Sequence, residues 1–311
     1  MIPLRALLFT LPFVAAIGCQ KEEVAVQAQQ AEKPPVATSE DVEIKRDINY
    51  AMSAGPERAY DLYLPKKGDA NRPLLIFIHG GAWQSGDKKD YEGLGKAFAG
   101  AGIAVAVVNY QLSPKVQHPK HIEDIAFAYG HLANNVYGFD PKRIIVMGHS
   151  AGAHMCGLLA ADPDMLMRVG TNKVHYPKGM IGLEGIYDIP NLVKVWPSYR
   201  NWFIEKAFGK DDKWAAASPT RLPIKLKSKW LLVHASGDEL VDAKQTDDFK
   251  NQLFIRNVKI DLDKTGPEVY DPGKLTHDQV VRDLGTSGSE VFKKVVAFIE
   301  ANSKPEAAQP Q

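Results

Sequence analysis

Ser150 stands in Gly148-His149-Ser150-Ala151-Gly152, between an apolar run at 143–147 and a helix-spaced run at 151–161. A serine hydroxyl is a poor nucleophile until a base removes its proton. A strand that turns sharply into a helix prepares such a serine. Flanking glycines let the chain bend without a Cβ clash, and the helix N-terminus aims N–H groups at charge developing on a substrate oxygen. His79-Gly80-Gly81-Ala82-Trp83 follows a second apolar run at 74–78. Glycines there let backbone N–H groups approach a carbonyl oxygen, so an oxyanion hole is assigned to Gly80 or Gly81 together with Ala151. His79 reads as a brace for that loop.

The base and its orienting acid should follow the serine along the chain. After an apolar run at 230–233 comes His234-Ala235-Ser236-Gly237-Asp238-Glu239-Leu240-Val241, which makes Asp238 the acid of choice. Asp188, in Gly185-Ile186-Tyr187-Asp188, is the fallback, while Glu239 and Asp242 read as solvated. His277, in Leu275-Thr276-His277-Asp278, is the base. His149 should pack beside the serine, and His154, four residues on, should be structural. His118, His121, His131 and His175 show no metal-ligand spacing with a carboxylate or cysteine. Neither H-E-x-x-H nor C-x-x-C occurs, and no G-x-G-x-x-G follows an early strand, so neither a metal nor a dinucleotide is expected.

These residues need elements to hold them. Short apolar runs at 60–64, 74–78, 104–108, 143–147, 180–183, 230–233 and 258–262 read as strands, most of them buried on both faces. Runs at 91–101, 122–133, 151–161, 246–253 and 290–300 carry apolar residues at three- and four-residue spacing and read as helices. Alternation of this kind implies a doubly wound α/β sheet whose ligands gather at the carboxyl ends of its strands. Residues 162–226 break the alternation with prolines and with Trp196, Tyr199, Trp202, Phe203, Phe208 and Trp214, and read as a lid or cap. Trp83, Tyr187, Trp196 and Trp202 are the aromatic candidates for a substrate pocket.

The 311 residues suffice for one large core spanning 42–303. A net charge of +1 and the lack of a like-charge block give no footing for nucleic acid. Of the two cysteines, Cys156 lies in an apolar run and reads as a small buried hydrophobe. Residues 20–41 and 304–311 are polar, without apolar periodicity, and read as a flexible tether and a disordered tail. Residues 1–19 carry Arg5, an apolar stretch at 6–17 and small residues at the end, the pattern of an export signal. Ala16-Ile17-Gly18-Cys19 resembles a bacterial lipobox, although leucine is usual where Ala16 stands. That resemblance implies a lipidated Cys19 attached to a membrane, and Gln20 after it goes with the outer membrane. The alternative is an ordinary secretory signal in which Cys19 is incidental.

His79-Gly80-Gly81-Ala82-Trp83-Gln84-Ser85-Gly86-Asp87-Lys88, Val107-Val108-Asn109-Tyr110 and Gly148-His149-Ser150-Ala151-Gly152-Ala153-His154 resemble the esterase/lipase group of α/β-hydrolases. They are most similar to the branch with arylformamidases (kynurenine formamidases) and acetyl- or feruloyl-xylan esterase-like proteins. Gly185-Ile186-Tyr187-Asp188-Ile189 and Ser218-Pro219 share that likeness, which spans roughly 42–299. It implies an α/β-hydrolase fold and a Ser150–Asp238–His277 triad, with no cofactor. The loop lacks the third glycine usual in hormone-sensitive-lipase relatives, and an export signal is unusual for a formamidase. The expectation is an exported carboxylesterase acting on short-acyl or aryl esters. An amidohydrolase of N-formyl aromatic substrates and a non-catalytic hydrolase-like binding protein are the alternatives.

Overall fold

The computed structural model describes residues 41–304 apart from 53–54, 69, 136 and 260–265. The leader, Cys19 and the tether up to residue 40 therefore lie outside the described residues, as does the tail beyond 304. Among the described residues, no helix is long and apolar enough to cross a membrane.

Eight strands form one sheet: β1 (Val42–Asn49), β2 (Ala59–Pro65), β3 (Leu74–Ile78), β4 (Ala104–Val108), β5 (Ile144–His149), β6 (Gly179–Leu183), β7 (Lys229–Val233) and β8 (Glu268–Tyr270). Their order is β1-β2-β4-β3-β5-β6-β7-β8. β1 and β2 run antiparallel to their neighbours, and every pairing from β4 to β8 is parallel. The central strands are apolar throughout because helices cover both faces. Leu74, Ile76 and Ile78 pack into one core, while Leu75 and Phe77 pack into the other, the period of two expected of a pleated strand.

The helices are α1 (Glu92–Gly100), α2 (Lys120–Asn134), α3 (Ala151–Ala161), α4 (Asp164–Arg168), α5 (Ile189–Val195), α6 (Glu205–Phe208), α7 (Lys244–Lys259), α8 (His277–Asp283) and α9 (Glu290–Asn302). Ile122, Tyr129, Leu159 and Phe249 bring α2, α3 and α7 against one face. Phe98, Val280 and Val295 bring α1, α8 and α9 against the other. Cys156 is buried within α3 as a free thiol, and burial pushes its pKa up.

The expected strand at 258–262 is not formed where it can be seen. Residues 258 and 259 continue α7, and 260–262 lie outside the described residues. The helix persists because Leu253 sits in the core and the Arg256 guanidinium reaches back to the carbonyls of Leu226 and Ser228. The strand beside β7 is instead the short, largely exposed β8. The aromatic stretch at 162–226 is more regular than its sequence suggests. It contains β6, α4, α5, a π-helical turn at Arg200–Ile204 and α6. Its side chains Leu192, Tyr199, Phe203, Phe208 and Trp214 form a third cluster with Trp83 and Val241.

Candidate active site

β5 delivers Ser150 into the first turn of α3 at φ +55° and ψ −115°, a region that a non-glycine residue rarely occupies. Such strain costs on the order of 1–3 kcal/mol and persists only where neighbours fix it. Here Ser150 N donates to Leu183 O at 2.8 Å and its carbonyl accepts from His154 N at 3.1 Å. A Cβ on Gly148 would lie 2.3 Å from Gly152 O, and one on Gly152 would lie 2.1 Å from Ile78 O. Both glycines are thus required by contact. Ala151 is the first residue of α3, and its N–H has no acceptor within the helix.

The loop after β3 passes beside this turn. Gly81 has φ +103°, and Ala82 and Trp83 follow at +52° and +58°. Gly81 O accepts from Gln84 N and Ser85 N, both at 3.0 Å. The His79 ring is buried, stacks on Tyr110 with centroids 4.5 Å apart and lies 2.8 Å from Gly80 O. Tyr110 Oη donates to His79 O at 3.2 Å. Burial pushes the His79 pKa down, so it braces the loop as a neutral ring. Asn109 Oδ1 accepts from Lys88 N at 2.6 Å, and Lys88 Nζ bridges Asp47 (2.7 Å) and Asp61 (2.9 Å). Outside the glycines, the family-like residues from 79 to 110 thus hold the loop in place.

β7 and β8 bring in the acid and the histidine. Asp238 Oδ1 accepts from Leu240 N (2.8 Å) and Val241 N (3.0 Å), and Oδ2 lies 2.8 Å from His277 Nδ1. His277 opens α8 behind a capping box formed by Thr276 and Gln279, and its N–H donates to Glu239 Oε2 at 3.2 Å. Burial pushes the Asp238 carboxyl up. The hydrogen bond with His277 leads the effects that outweigh it and hold the carboxyl well below the ordinary carboxylate range. His149 packs its ring against His277 with centroids 4.7 Å apart, and its Nε2 donates to His277 O at 3.1 Å. Burial and then the neighbouring His277 lower His149 to about 3, so it is neutral at physiological pH.

Ser150, His277, Gly80 and Gly81 line one open cleft of about 320 Å³. Among the described residues, the hydrogen-bond partners of His277 are Asp238, His149 and Glu239, and Ser150 Oγ is not one of them. Such contacts tighten in substrate complexes. The cleft's apolar wall comes from Ile186, Tyr199, Trp202, Phe203, Leu240 and Val241. Of the four aromatic candidates, Trp202 lines the cleft and is 53% exposed. Trp196 stands next to it, stacked on Tyr199, without lining the cleft.

Contrary to expectation, Trp83 and Tyr187 do not line the cleft. Trp83 is fully buried, edge-on to Phe208 at 4.8 Å, because two successive left-handed residues turn it under the loop. Tyr187 is fully buried and stacked on Phe249 at 4.1 Å. The fallback acid Asp188 is committed elsewhere. It caps α5 through Asn191 N at 2.9 Å and pairs with Arg221 at 3.0 Å. His154 donates Nε2 to Ala217 O at 2.7 Å, a structural role.

Glu184 has no place among the residues the sequence singles out for the site. It directly follows β6 at φ +49°, fully buried, and burial and Asp238 push it up to about 10. A single charged residue at the end of the apolar run Gly182-Leu183 was the available signal. The trios Glu184–Asp238–His277 and His149–His277–Asp278 are close enough to hold a cation by distance alone. In the first, however, His277 Nδ1 is already hydrogen-bonded to Asp238, and in the second His149 Nε2 is hydrogen-bonded to His277 O.

A mostly parallel sheet with a strained serine between strand and helix defines the α/β-hydrolase class. The BD-FAE family matches residues 60–253, and the chain belongs to it. A kynurenine formamidase of Meyerozyma guilliermondii is 33% identical over 67% of this chain and 81% of its own. A probable isoprenylcysteine alpha-carbonyl methylesterase of Arabidopsis thaliana is 28% identical over 84% of this chain, which spans 64% of that protein's length. Among solved structures, esterase B of Lactobacillus rhamnosis superposes with a TM-score of 0.72 at 20% identity, over 86% of this chain and 88% of that one. A truncated carbohydrate esterase from gut microbiota gives 0.69 at 20% identity, over 85% and 98%. Family and fold together place the chain among the α/β-hydrolases.

Proposed function

We propose that the chain hydrolyses carboxylic esters through an acyl-enzyme, with Ser150 as nucleophile, His277 as base and Asp238 as the orienting acid. The observation that carries this is the 2.8 Å contact of Asp238 with His277, which lines the same cleft as the strained Ser150. His277 Nε2 takes the proton of Ser150 as Oγ bonds to the acyl carbon. The oxyanion is received by the N–H groups of Gly80 or Gly81 and of Ala151. The imidazolium returns the proton to the leaving alcohol. Water, deprotonated by the same ring, then bonds to the acyl carbon and releases the acid and Ser150. The aromatic wall of Tyr199, Trp202 and Phe203 favours aryl esters, and a cleft of about 320 Å³ favours short acyl chains. Labelling by a fluorophosphonate probe tests the nucleophile: wild type should label and Ser150→Ala should not, and labelling of the variant would refute the assignment.

Formamide cleavage by the same residues is the second reading, supported by the relative named kynurenine formamidase. Relative rates on a matched aryl acetate and aryl formamide decide between them. For the leader we propose export with Cys19 lipidated and membrane-attached, supported by the lipobox-like Ala16-Ile17-Gly18-Cys19. The mass of the mature N-terminus tests that.

A further inference from the structure

Glu184 lies behind the acid and histidine just described. Its Oε1 accepts from Ala235 N at 2.8 Å. Among the described residues, no donor reaches Oε2 with hydrogen-bonding geometry. His234 Nδ1 is 3.2 Å from Oε2 but is engaged with Thr246 Oγ1 at 3.1 Å. One oxygen each of Glu184 and Asp238 and a ring nitrogen of His277 all lie within 4.8 Å of one another. The titratable groups around Glu184 are therefore Asp238, His234 and His277, with Asp271 and Tyr187 acting on it as well.

Two buried carboxylates this close repel strongly if both are ionised. An ionised Glu184 would also leave Oε2 as a desolvated acceptor with no donor. A proton on Oε2 removes both problems at once, because the O–H can then donate to the Asp238 carboxylate. Asp238 already takes two backbone N–H groups on Oδ1 and His277 on Oδ2, and a Glu184 O–H would add a fourth donor.

We propose that Glu184 is a positioning residue that works as a neutral acid, donating its O–H to Asp238 and so holding that carboxylate ionised and in register with His277. This rests on the triad reading above. The direction of its titration agrees, since burial and Asp238 both push Glu184 up.

The test compares Glu184→Gln with Glu184→Leu. Gln keeps an oxygen for Ala235 N and replaces O–H by an N–H donor, whereas Leu removes the donor. On an aryl acetate, Gln should retain kcat within about threefold, and Leu should lose about ten- to a hundredfold with KM little changed. The wild-type pH profile should show an ionisation near pH 10 that Glu184→Gln lacks. At pH 7 the infrared spectrum of wild type should contain a protonated-carboxyl band absent from Glu184→Gln. That comparison decides the matter even if Glu184→Leu does not fold. Equal losses in Gln and Leu, full activity in a folded Leu variant, or identical infrared spectra would each overturn the proposal. Failure of the triad reading is distinguishable, since it would appear as activity surviving in Ser150→Ala or Asp238→Asn.

Discussion

His277 Nδ1 and Asp238 Oδ2 meet at 2.8 Å across 39 residues of chain, one at the head of α8 and the other in the loop after β7. That contact fixes which imidazole nitrogen carries the proton, because a carboxylate accepts only from Nδ1–H and leaves Nε2 free to act as a base. Asp238→Asn should lower kcat on an aryl ester by about four orders of magnitude, since an amide can donate to Nδ1 and select the wrong tautomer. A loss below about tenfold would exclude Asp238 from this role.

Asp188 gives the matching control. It caps α5 and pairs with Arg221, so Asp188→Ala should destabilise the fold by about 1–2 kcal/mol. Its kcat should stay within about threefold of wild type, as measured on protein shown to be folded by circular dichroism. A collapse of kcat in folded protein would return Asp188 to the site.

Gly81 tests the oxyanion loop. At φ +103°, with a would-be Cβ 2.2 Å from Ser85 O, Gly81→Ala must shift the loop. Displacing one N–H donor should cost about a hundredfold or more in kcat with a smaller change in KM. Unchanged steady-state kinetics would remove this loop from the chemistry.

Trp202 and Trp83 separate recognition from packing. Trp202→Ala should leave the melting temperature nearly unchanged, because the ring is 53% exposed. It should raise KM for aryl esters roughly tenfold relative to small alkyl esters. Trp83→Ala should instead destabilise by about 3–5 kcal/mol, because its ring is buried against Phe208 and His154. The reverse pattern would contradict the placement of the cleft wall.

How much was legible follows burial. β3, β4, β5 and β6 are covered on both faces, so their residues form apolar runs interrupted only by glycines and, at the end of β5, by His149. β1, with exposed Lys45 and Arg46, and the three-residue β8 are edges, where polar residues hide the period. Ser150 and Asp238 stand out in the sequence because each follows an apolar run that forms a strand, whereas His277 follows β8, a short strand whose polar residues give no such run. Trp83 and Tyr187 were misplaced because side-chain direction after a left-handed turn is not encoded in spacing. Glu184 was missed because its significance depends on Asp238, 54 residues further on (238 − 184), which only the β6–β7 pairing brings near.

Glu184 makes the stability of the fold depend on pH. Glu184 titrates near 10 in the folded chain against an ordinary 4.5. Between those values the folded state keeps a proton that the unfolded state has lost, so stability falls as pH rises. Below 4.5 both states are protonated and the contribution is fully present. His149 and His154, both lowered to about 3 by burial, act with the opposite sign, costing stability as pH falls below 6.5. Between pH 7 and 9.5 only the Glu184 effect among these is changing. Glu184→Gln has no proton to lose, so its melting temperature should gain on wild type steadily across that window. A gap that stays constant from pH 7 to 9.5 would mean that Glu184 is already ionised at neutrality, and the pair with Asp238 would then have to be held together by something other than a shared proton.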